Sequence, residues 1–119
     1  MKKALYALCA SAMFASGIAL ADDCMKLAKE KQCMTCHEID KSKVGPSFQS
    51  IAKKYNSDKD PGFRLVKQIM GGSSSTIHKG IKMPPAGDTG SSRSPNTRPA
   101  LTFDEAADLT SCVLSQQPN

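Results

Sequence analysis

Apolar residues recur at helical spacing along this chain of 119 residues, and no useful length alternates apolar and polar residues as a half-buried strand would. The clearest repeat places Phe48, Ile51, Ala52 and Tyr55 at positions i, i+3, i+4 and i+7, so that one face of a short helix is apolar. The sequence contains no internal repeat. The pattern predicts an all-α fold of about four short helices.

The first helix is expected to begin at Asp22 and Asp23, whose carboxylates can cap it, and to run to about Cys33. Leu27 and Ala28 then lie on its inner side. Three lysines are expected on its outer side: Lys26, Lys29 and Lys31.

Two later helices carry start signals in the sequence. Pro61 suits the first turn of a third helix, which is expected to end at the glycine pair of residues 71 and 72. Thr102 and Glu105 form a capping box that opens the last helix. Six apolar residues are expected on the inner faces of these helices: Val66, Ile69, Met70, Leu109, Val113 and Leu114. Between the two helices, the Gly-, Ser- and Pro-rich residues 71–100 predict a long loop.

The first 21 residues have the layout of a secretory signal peptide. Lys2 and Lys3 precede an apolar stretch, and the Ala-Leu-Ala of residues 19–21 is a small-x-small cleavage site. An uncleaved membrane anchor is the alternative, but the stretch is shorter than the roughly 20 residues that span a bilayer. We therefore expect cleavage after Ala21, export to the periplasm, and one domain at residues 22–119 without stable membrane insertion.

The mature chain is short and only mildly basic. Without residues 1–21 it has 14 Lys and Arg against 11 Asp and Glu, a net charge of +3, which is too little to suggest nucleic-acid binding. Aromatic residues make up 5% of the full sequence and tryptophan is absent, so a chain of this size needs further apolar material for its core.

Residues 33–37 read Cys-Met-Thr-Cys-His, the attachment signature of c-type haem. In that chemistry the thiols of Cys33 and Cys36 add to the porphyrin vinyl groups, and His37 coordinates the iron. The spacing suits this role because residues three apart on a helical turn share a face. A redox dithiol and half of a zinc site are the alternatives, although the only other histidine, His78, has no nearby cysteine to complete a zinc site.

The second axial ligand of the iron is expected from the long loop, which would cover the other face of the haem. Met83 is the leading candidate, because two prolines after it restrict the loop and because Met with His is the ligand pair of electron-transfer cytochromes c. His78 is the rival, since two histidines also serve as haem ligands. Met25 and Met70 lie on predicted helices and are better explained as core residues.

Four segments together resemble the small bacterial class I monohaem cytochromes c. They are the Val-Gly-Pro-Ser of residues 44–47, the Gly-Gly-Ser turn of residues 71–73, the Met-Pro-Pro of residues 83–85 and the closing Val-Leu-Ser-Gln of residues 113–116. The likeness covers nearly all of residues 22–119. It implies the class I cytochrome c fold, with short helices and long loops around one covalently bound haem.

The resemblance also implies a role for individual residues. Cys33 and Cys36 would carry the haem, and His37 and Met83 would ligate its iron. The carbonyl of Pro46 would accept a hydrogen bond from the His37 ring and so fix its tautomer.

Three features depart from the family's pattern. His78 stands where the family usually has a tryptophan, so a hydrogen bond to a haem propionate would come from an imidazole that titrates near neutral pH. Residues 87–99 are longer than in close relatives and carry Arg93 and Arg98, whose task the pattern does not indicate. Cys24 and Cys112 are extra cysteines.

A disulfide between Cys24 and Cys112 is expected. Spare thiols in even number usually pair in an exported chain. The resemblance adds that the first and last helices cross, with Cys24 at the start of the first and Cys112 midway along the last. Two separate thiols, buried or reactive, are the alternative.

The expected function follows from the ligand set. An iron with both axial positions filled by protein exchanges electrons and has no open position for a substrate. We therefore expect an electron-transfer protein rather than an enzyme: a monomeric periplasmic one-electron carrier between a redox donor and an acceptor. Two alternatives stay open. In the first alternative, the chain is a haem subunit of a larger periplasmic complex, such as a sulfur-compound oxidising assembly, with residues 87–99 at its interface. In the second, it is a ligand-binding haem protein in which Met83 is easily displaced.

Four lysines are candidates for docking the redox partners. Lys41 and Lys43 follow the haem motif, and Lys79 and Lys82 flank the ligand methionine. If they surround an exposed haem edge, they steer an acidic partner surface into a fast and weak encounter. The alternative is that they are ordinary solvated surface.

Overall fold

The computed structural model describes residues 18–73, 81–87 and 98–118. Within these ranges the chain forms four α-helices: α1 (Ile18–Glu30), α2 (Phe48–Tyr55), α3 (Pro61–Gly71) and α4 (Phe103–Ser115). A short 3₁₀ turn (Cys33–Thr35) follows α1. The described residues contain no β-strand. The predicted all-α class with four short helices is therefore confirmed.

The limits of α1 differ from the prediction at both ends. The helix begins at Ile18, so Asp22 and Asp23 lie inside it and are not its N-terminal caps. Ala19, Leu20 and Ala21 are good helix formers, and they extend the helix upstream of the expected start. At the other end the helix stops at Glu30, because Gln32 takes a left-handed conformation with φ of 59°.

The other three helices begin and end where the sequence indicates, apart from single residues. Ser47 caps α2, since its hydroxyl accepts a hydrogen bond from the Ser50 amide at 3.1 Å. Pro61 occupies the first turn of α3, as predicted. At α4 both bonds of the predicted capping box are present, with the Thr102 hydroxyl and the Glu105 carboxylate each accepting from the other's backbone amide.

Helix α4 lies at the centre of the fold and contacts the other three helices. The core is formed by seven buried residues: Ala28, Phe48, Val66, Ile69, Ala106, Leu109 and Val113. Of the residues predicted to face inward on α3 and α4, Met70 and Leu114 are only partly buried. The core therefore consists mainly of the inner faces of α3 and α4, closed by one residue each from α1 and α2.

A disulfide joins Cys24 on α1 to Cys112 on α4, so the predicted pairing is confirmed. The two Cα atoms are 5.6 Å apart, within the range that a disulfide spans. The bond links positions 88 residues apart in the chain. It ties the first helix to the last and so closes the described chain almost from end to end.

Lys31 was expected on the outer side of the first helix, and that prediction is wrong. Its side chain is 18% exposed and its ammonium pairs with the Glu105 carboxylate at 2.9 Å. The same ammonium donates to the Ala100 carbonyl at 3.1 Å. Because both partners lie about 70 residues away, this covering of Lys31 depends on the tertiary fold and not on the helical pattern of α1.

Candidate functional site

A cavity of about 610 Å³ opens between the 3₁₀ turn, the helices α2 to α4 and the Met83 loop, by which we mean residues 81–87. This volume lies within the roughly 300–1,000 Å³ typical of pockets that bind cofactors and other small molecules. Four residues that the sequence selects line it together: Cys33, Cys36, His37 and Met83. The structure thus brings to one cavity side chains that are up to 50 positions apart in the sequence.

The 3₁₀ turn positions the two cysteines on one wall of the cavity. The amides of Cys36 and His37 both donate to the Cys33 carbonyl, at 3.2 Å and 3.0 Å, and these bonds close the turn. Cys33 and Cys36 are not bonded to each other. Burial raises the pKa of the Cys33 thiol, an effect that the nearby Arg98 charge partly opposes. Cys33 therefore stands at the cavity as a neutral thiol.

The alternative of a zinc site gains no support from the described ranges. Within residues 18–73, 81–87 and 98–118, no group of three or more His, Cys, Asp or Glu side chains is arranged to hold a metal ion. A structural zinc site normally takes four such ligands.

His37 is buried and held by its backbone surroundings. Its Nδ1 lies 2.6 Å from the Pro46 carbonyl oxygen, so the hydrogen bond expected from the sequence is present. Because a carbonyl only accepts, Nδ1 must carry the proton, and Nε2 keeps its lone pair. Burial lowers the pKa of His37, which favours the neutral ring that a metal requires. The Phe48 ring stacks against the imidazole with the ring centres 5.7 Å apart.

Gly45 gives the imidazole its space, a requirement that the sequence pattern did not indicate. A Cβ atom built on Gly45 would stand 2.7 Å from Cε1 of His37, closer than real contacts allow. The Gly45 amide also donates to the Cys36 carbonyl at 2.7 Å. The backbone of Gly45 is thus bonded to the haem motif right beside the His37 ring, and only a glycine fits at this position.

The Met83 loop is seated on the C-terminal end of α3. The Met83 amide donates to the Ser73 hydroxyl at 2.9 Å, and the Ser73 amide donates back to the Met83 carbonyl at 3.0 Å. Gly72 has φ of 74°, and a Cβ on it would meet the Pro85 nitrogen at 2.8 Å. Gly72 is therefore needed for two reasons: it ends α3 with a positive φ, and it lets the Met83 loop approach closely.

Arg98 is a site residue whose role sequence reasoning missed. It lines the cavity, and its Nη1 donates to the Ile69 carbonyl at 3.0 Å and to the Pro84 carbonyl at 2.5 Å. Its Nη2 is buried and has no hydrogen-bond partner among the described residues. A buried donor without a partner is costly, so a group that fills the cavity is the natural neighbour of this nitrogen. The chain's residues thus fit a large cofactor.

Not all of the predicted site residues are found at the cavity. His78 and Lys79, and Arg93 in the longer segment, lie outside the described residues. Lys41 and Lys43 are exposed, and Lys43 donates to the Met34 carbonyl at 3.4 Å. Two exposed lysines do line the cavity: Lys82, one of the four docking candidates, and Lys54 on α2, which the sequence analysis did not select.

Within the described ranges, none of the helices combines the length and the apolar character that a membrane span requires.

Comparison with known proteins gives a consistent result. The sequence profile described as cytochrome c matches residues 21–117. Cytochrome c-551 of Pseudomonas aeruginosa is 32% identical over 114 residues, which cover 96% of each chain. Cytochrome c-552 of Nitrosomonas europaea is 41% identical over 76 residues, covering 64% of this chain and 71% of the relative. The crystal structure of wild-type Nitrosomonas europaea cytochrome c552 superposes with a TM-score of 0.62 at 29% identity, over 78% of this chain and 99% of that one.

Proposed function

Because this chain belongs to the cytochrome c family, we propose that it carries one haem c, bonded to Cys33 and Cys36, with His37 and Met83 as the two axial ligands of the iron. The class I resemblance drawn from the sequence motifs is confirmed. Membership of the family implies covalently bound haem c. Cytochromes c are electron-transfer proteins, so the chain is an electron carrier and not an enzyme.

The attachment of the haem is supported by the meeting of both cysteines and His37 on one cavity wall. The closed 3₁₀ turn brings both cysteines to the lining of the same cavity, as bonding to two vinyl groups of one macrocycle requires. Apolar residues of α3 and α4 complete the wall, among them Leu65, Ile69 and Leu109. They exclude water from the space where the macrocycle would lie.

The proposed axial ligands are supported by the way the chain holds each of them. His37 presents Nε2 as a lone pair because Nδ1 donates to the Pro46 carbonyl. Met83 comes from a loop that is held by two hydrogen bonds with Ser73, one to its hydroxyl and one from its amide, just past the end of α3. When bound, the haem would supply a one-electron couple between ferric and ferrous iron, which a methionine ligand shifts toward the reduced form. Filling both axial positions with protein restricts the site to electron exchange.

We place the carrier in the periplasm, as a monomer after removal of residues 1–21. The Cys24–Cys112 disulfide supports export, since such bonds persist in oxidising compartments and are rare in the cytosol. The lysine-containing residues 1–21 with their small-x-small end support cleavage by a signal peptidase. Native mass measurement of the exported protein checks the monomer and separates a free carrier from a subunit of a larger complex.

The redox partners are proposed to approach the mouth of the cavity. Lys54 and Lys82 are exposed there, next to Ile81, whose side chain is 41% exposed. An apolar spot with cations around it suits short-lived docking of an acidic protein surface. Electrons would then cross at the part of the cavity that opens to solvent.

The mass and spectrum of the exported, denatured protein test the proposal. We expect the mass of residues 22–119 plus one haem, which remains attached after denaturation because its bonds to Cys33 and Cys36 are covalent. Cys36→Ser should lose one of the two bonds, whereas the control pair Cys24→Ser and Cys112→Ser should retain the haem fully. A wild-type protein that releases its haem on denaturation would contradict the proposal.

A further inference from the structure

Arg98 connects the end of α3 to the Met83 loop through its side chain. Its Nη1 donates to the carbonyl of Ile69 near the end of α3 at 3.0 Å. The same nitrogen donates to the carbonyl of Pro84, the residue after Met83, at 2.5 Å. One guanidinium group thus bridges the helix and the Met83 loop. It adds to the bonds between Met83 and Ser73, which fasten the preceding residue of the same loop.

The charge of Arg98 is unusual for its surroundings. Three ion pairs form within the described ranges, Lys26–Glu30, Lys31–Glu105 and Arg64–Asp58, and none of them includes Arg98. Burial lowers the pKa of Arg98, yet a guanidinium stays protonated in proteins. The positive charge is close enough to act on the thiols of both Cys33 and Cys36. A permanent cation that has no carboxylate partner among the described residues therefore stands at the cavity wall.

We propose that Arg98 is a positioning residue that fastens the Met83 loop to α3 and, through its partly buried charge, raises the reduction potential of the haem beside it. The inference rests on the proposed function, since it presupposes a haem bonded to Cys33 and Cys36. It assigns a task to Arg98, which the sequence pattern left without one.

The effect of the charge follows from the balance of the redox step. With haem bound, one electron from the donor protein would convert ferric to ferrous iron, while no bond would form or break and Arg98 would keep its proton. The added negative charge is attracted by the guanidinium, so the reduced state is favoured. For charges about 10 Å apart at an effective dielectric constant of about 20, the ferrous-to-ferric equilibrium constant rises by about tenfold. For a one-electron couple, tenfold is 59 mV.

The effect of the connection follows from the geometry. Removing the two Nη1 bonds would free the Pro84 carbonyl from the end of α3. Met83 precedes Pro84 directly, so its side chain would leave the iron more readily. An external ligand such as imidazole would then compete with Met83 more successfully, and its apparent affinity for the oxidised protein would increase.

Two substitutions separate the charge from the connection. Arg98→Gln removes both the charge and the planar guanidinium, whereas Arg98→Lys keeps the charge and loses the planar guanidinium. Arg64→Gln is the matched control, because Arg64 is an exposed arginine paired with Asp58 away from the cavity lining. All are compared as exported holoproteins with equal haem content, by redox titration and by imidazole binding.

We expect the Arg98→Gln variant to lose about tenfold in the ferrous-to-ferric equilibrium constant, with Arg98→Lys and Arg64→Gln close to the wild type. Imidazole should bind several-fold more tightly to both Arg98 variants and not to Arg64→Gln. An Arg98→Gln potential equal to that of Arg64→Gln would overturn the role of the charge. Wild-type imidazole affinity in Arg98→Lys would overturn the connection, even if Arg98→Gln fails to mature.

The outcomes distinguish this inference from the proposed function. A wild-type protein without covalent haem defeats the proposed function, and the Arg98 inference with it. A wild-type protein with haem and a methionine-ligand spectrum, but with Arg98 variants that match Arg64→Gln in both measurements, defeats only the inference about Arg98.

Discussion

The Nδ1 atom of His37 and the carbonyl oxygen of Pro46 are 2.6 Å apart, and this bond sets the chemistry of the imidazole. It assigns the proton to Nδ1 and leaves Nε2 free to bind a metal. Gly45, which directly precedes Pro46, permits this bond because it has no side chain and leaves room for the His37 ring. The backbone around His37 thereby preorganises the imidazole for the role of metal ligand that we propose for it.

Gly45→Ala should weaken the site. The new methyl group would collide with the His37 ring, and overpacking of this kind costs about 1–3 kcal/mol. We expect a lower melting temperature of the holoprotein and a perturbed haem spectrum. Gly62→Ala is the control, because a Cβ there meets nothing within 4 Å and alanine suits a helix better than glycine. A Gly45→Ala variant as stable as Gly62→Ala would show that the ring is not confined.

Loss of the disulfide should destabilise the fold strongly. In the chain-entropy model, a bond that closes a loop of 88 residues contributes roughly 4–5 kcal/mol. The double variant Cys24→Ser, Cys112→Ser should therefore unfold at markedly lower denaturant concentration. Thiol titration of the unfolded, unreduced wild-type holoprotein gives an independent check. It should find no free thiol, since Cys33 and Cys36 are consumed by the haem; two free thiols would refute the bridge.

Glu105 should make stability depend on acid pH. Its pKa is lowered, first by the hydrogen bond from the Thr102 backbone and then by the bond from Lys31. A carboxylate with a depressed folded-state pKa contributes stability above its unfolded pKa, and the contribution is lost as the pH falls through the folded value. Glu105→Gln should lower stability at neutral pH, with the difference from the wild type vanishing in acid.

The matched control for this prediction is Asp108→Asn, which removes an exposed carboxylate from the same helix. It should leave the melting temperature at neutral pH nearly unchanged. Denaturant titrations from neutral pH down to pH 3 compare the three proteins. A constant gap between wild type and Glu105→Gln across that range would contradict the assignment of the effect to ionised Glu105.

Electron transfer to an acidic partner should depend on Lys54 and Lys82. These exposed lysines line the mouth of the cavity, and removing both should lower the association rate at low salt by about tenfold. The difference should shrink as ionic strength rises, because the Debye length falls to about 8 Å at physiological salt. Lys67→Gln, on an exposed part of α3 outside the cavity lining, is the control. Equal salt dependence in all variants would show that Lys54 and Lys82 are ordinary solvated surface residues without a part in docking.

The elements that sequence reasoning predicted correctly have local signals. The Phe48 to Tyr55 repeat, Pro61 and the Thr102–Glu105 capping box lie within or next to the helices that they define. The haem motif is equally local, because five consecutive residues contain both thiols and the imidazole. In each of these cases the interacting residues lie within a short stretch of sequence, so the local pattern is enough to predict the element or the motif.

The features that the sequence missed depend on distant partners. Lys31 is covered by Glu105 and Ala100, which no helical pattern of α1 could indicate. Arg98 bonds to carbonyls 29 and 14 positions before it, and backbone carbonyls are available at every residue. The start of α1 was misplaced for another reason, since residues expected to be cleaved were left out of the helix although they favour it. Long-range packing, unlike periodicity, has no signature within a short window.

The central claim, that Met83 completes the iron site opposite His37, is tested most directly by the near-infrared absorbance of the oxidised holoprotein. Methionine-to-iron bonding gives a weak band there, and we expect it in the wild type and in the control Met25→Ala, which truncates a methionine of α1 packed against the core. Met83→Ala should abolish the band and let carbon monoxide bind the reduced protein at neutral pH. A band that survives in Met83→Ala, or a haem spectrum that is unchanged in Met83→Ala and altered in His78→Ala, would contradict the account.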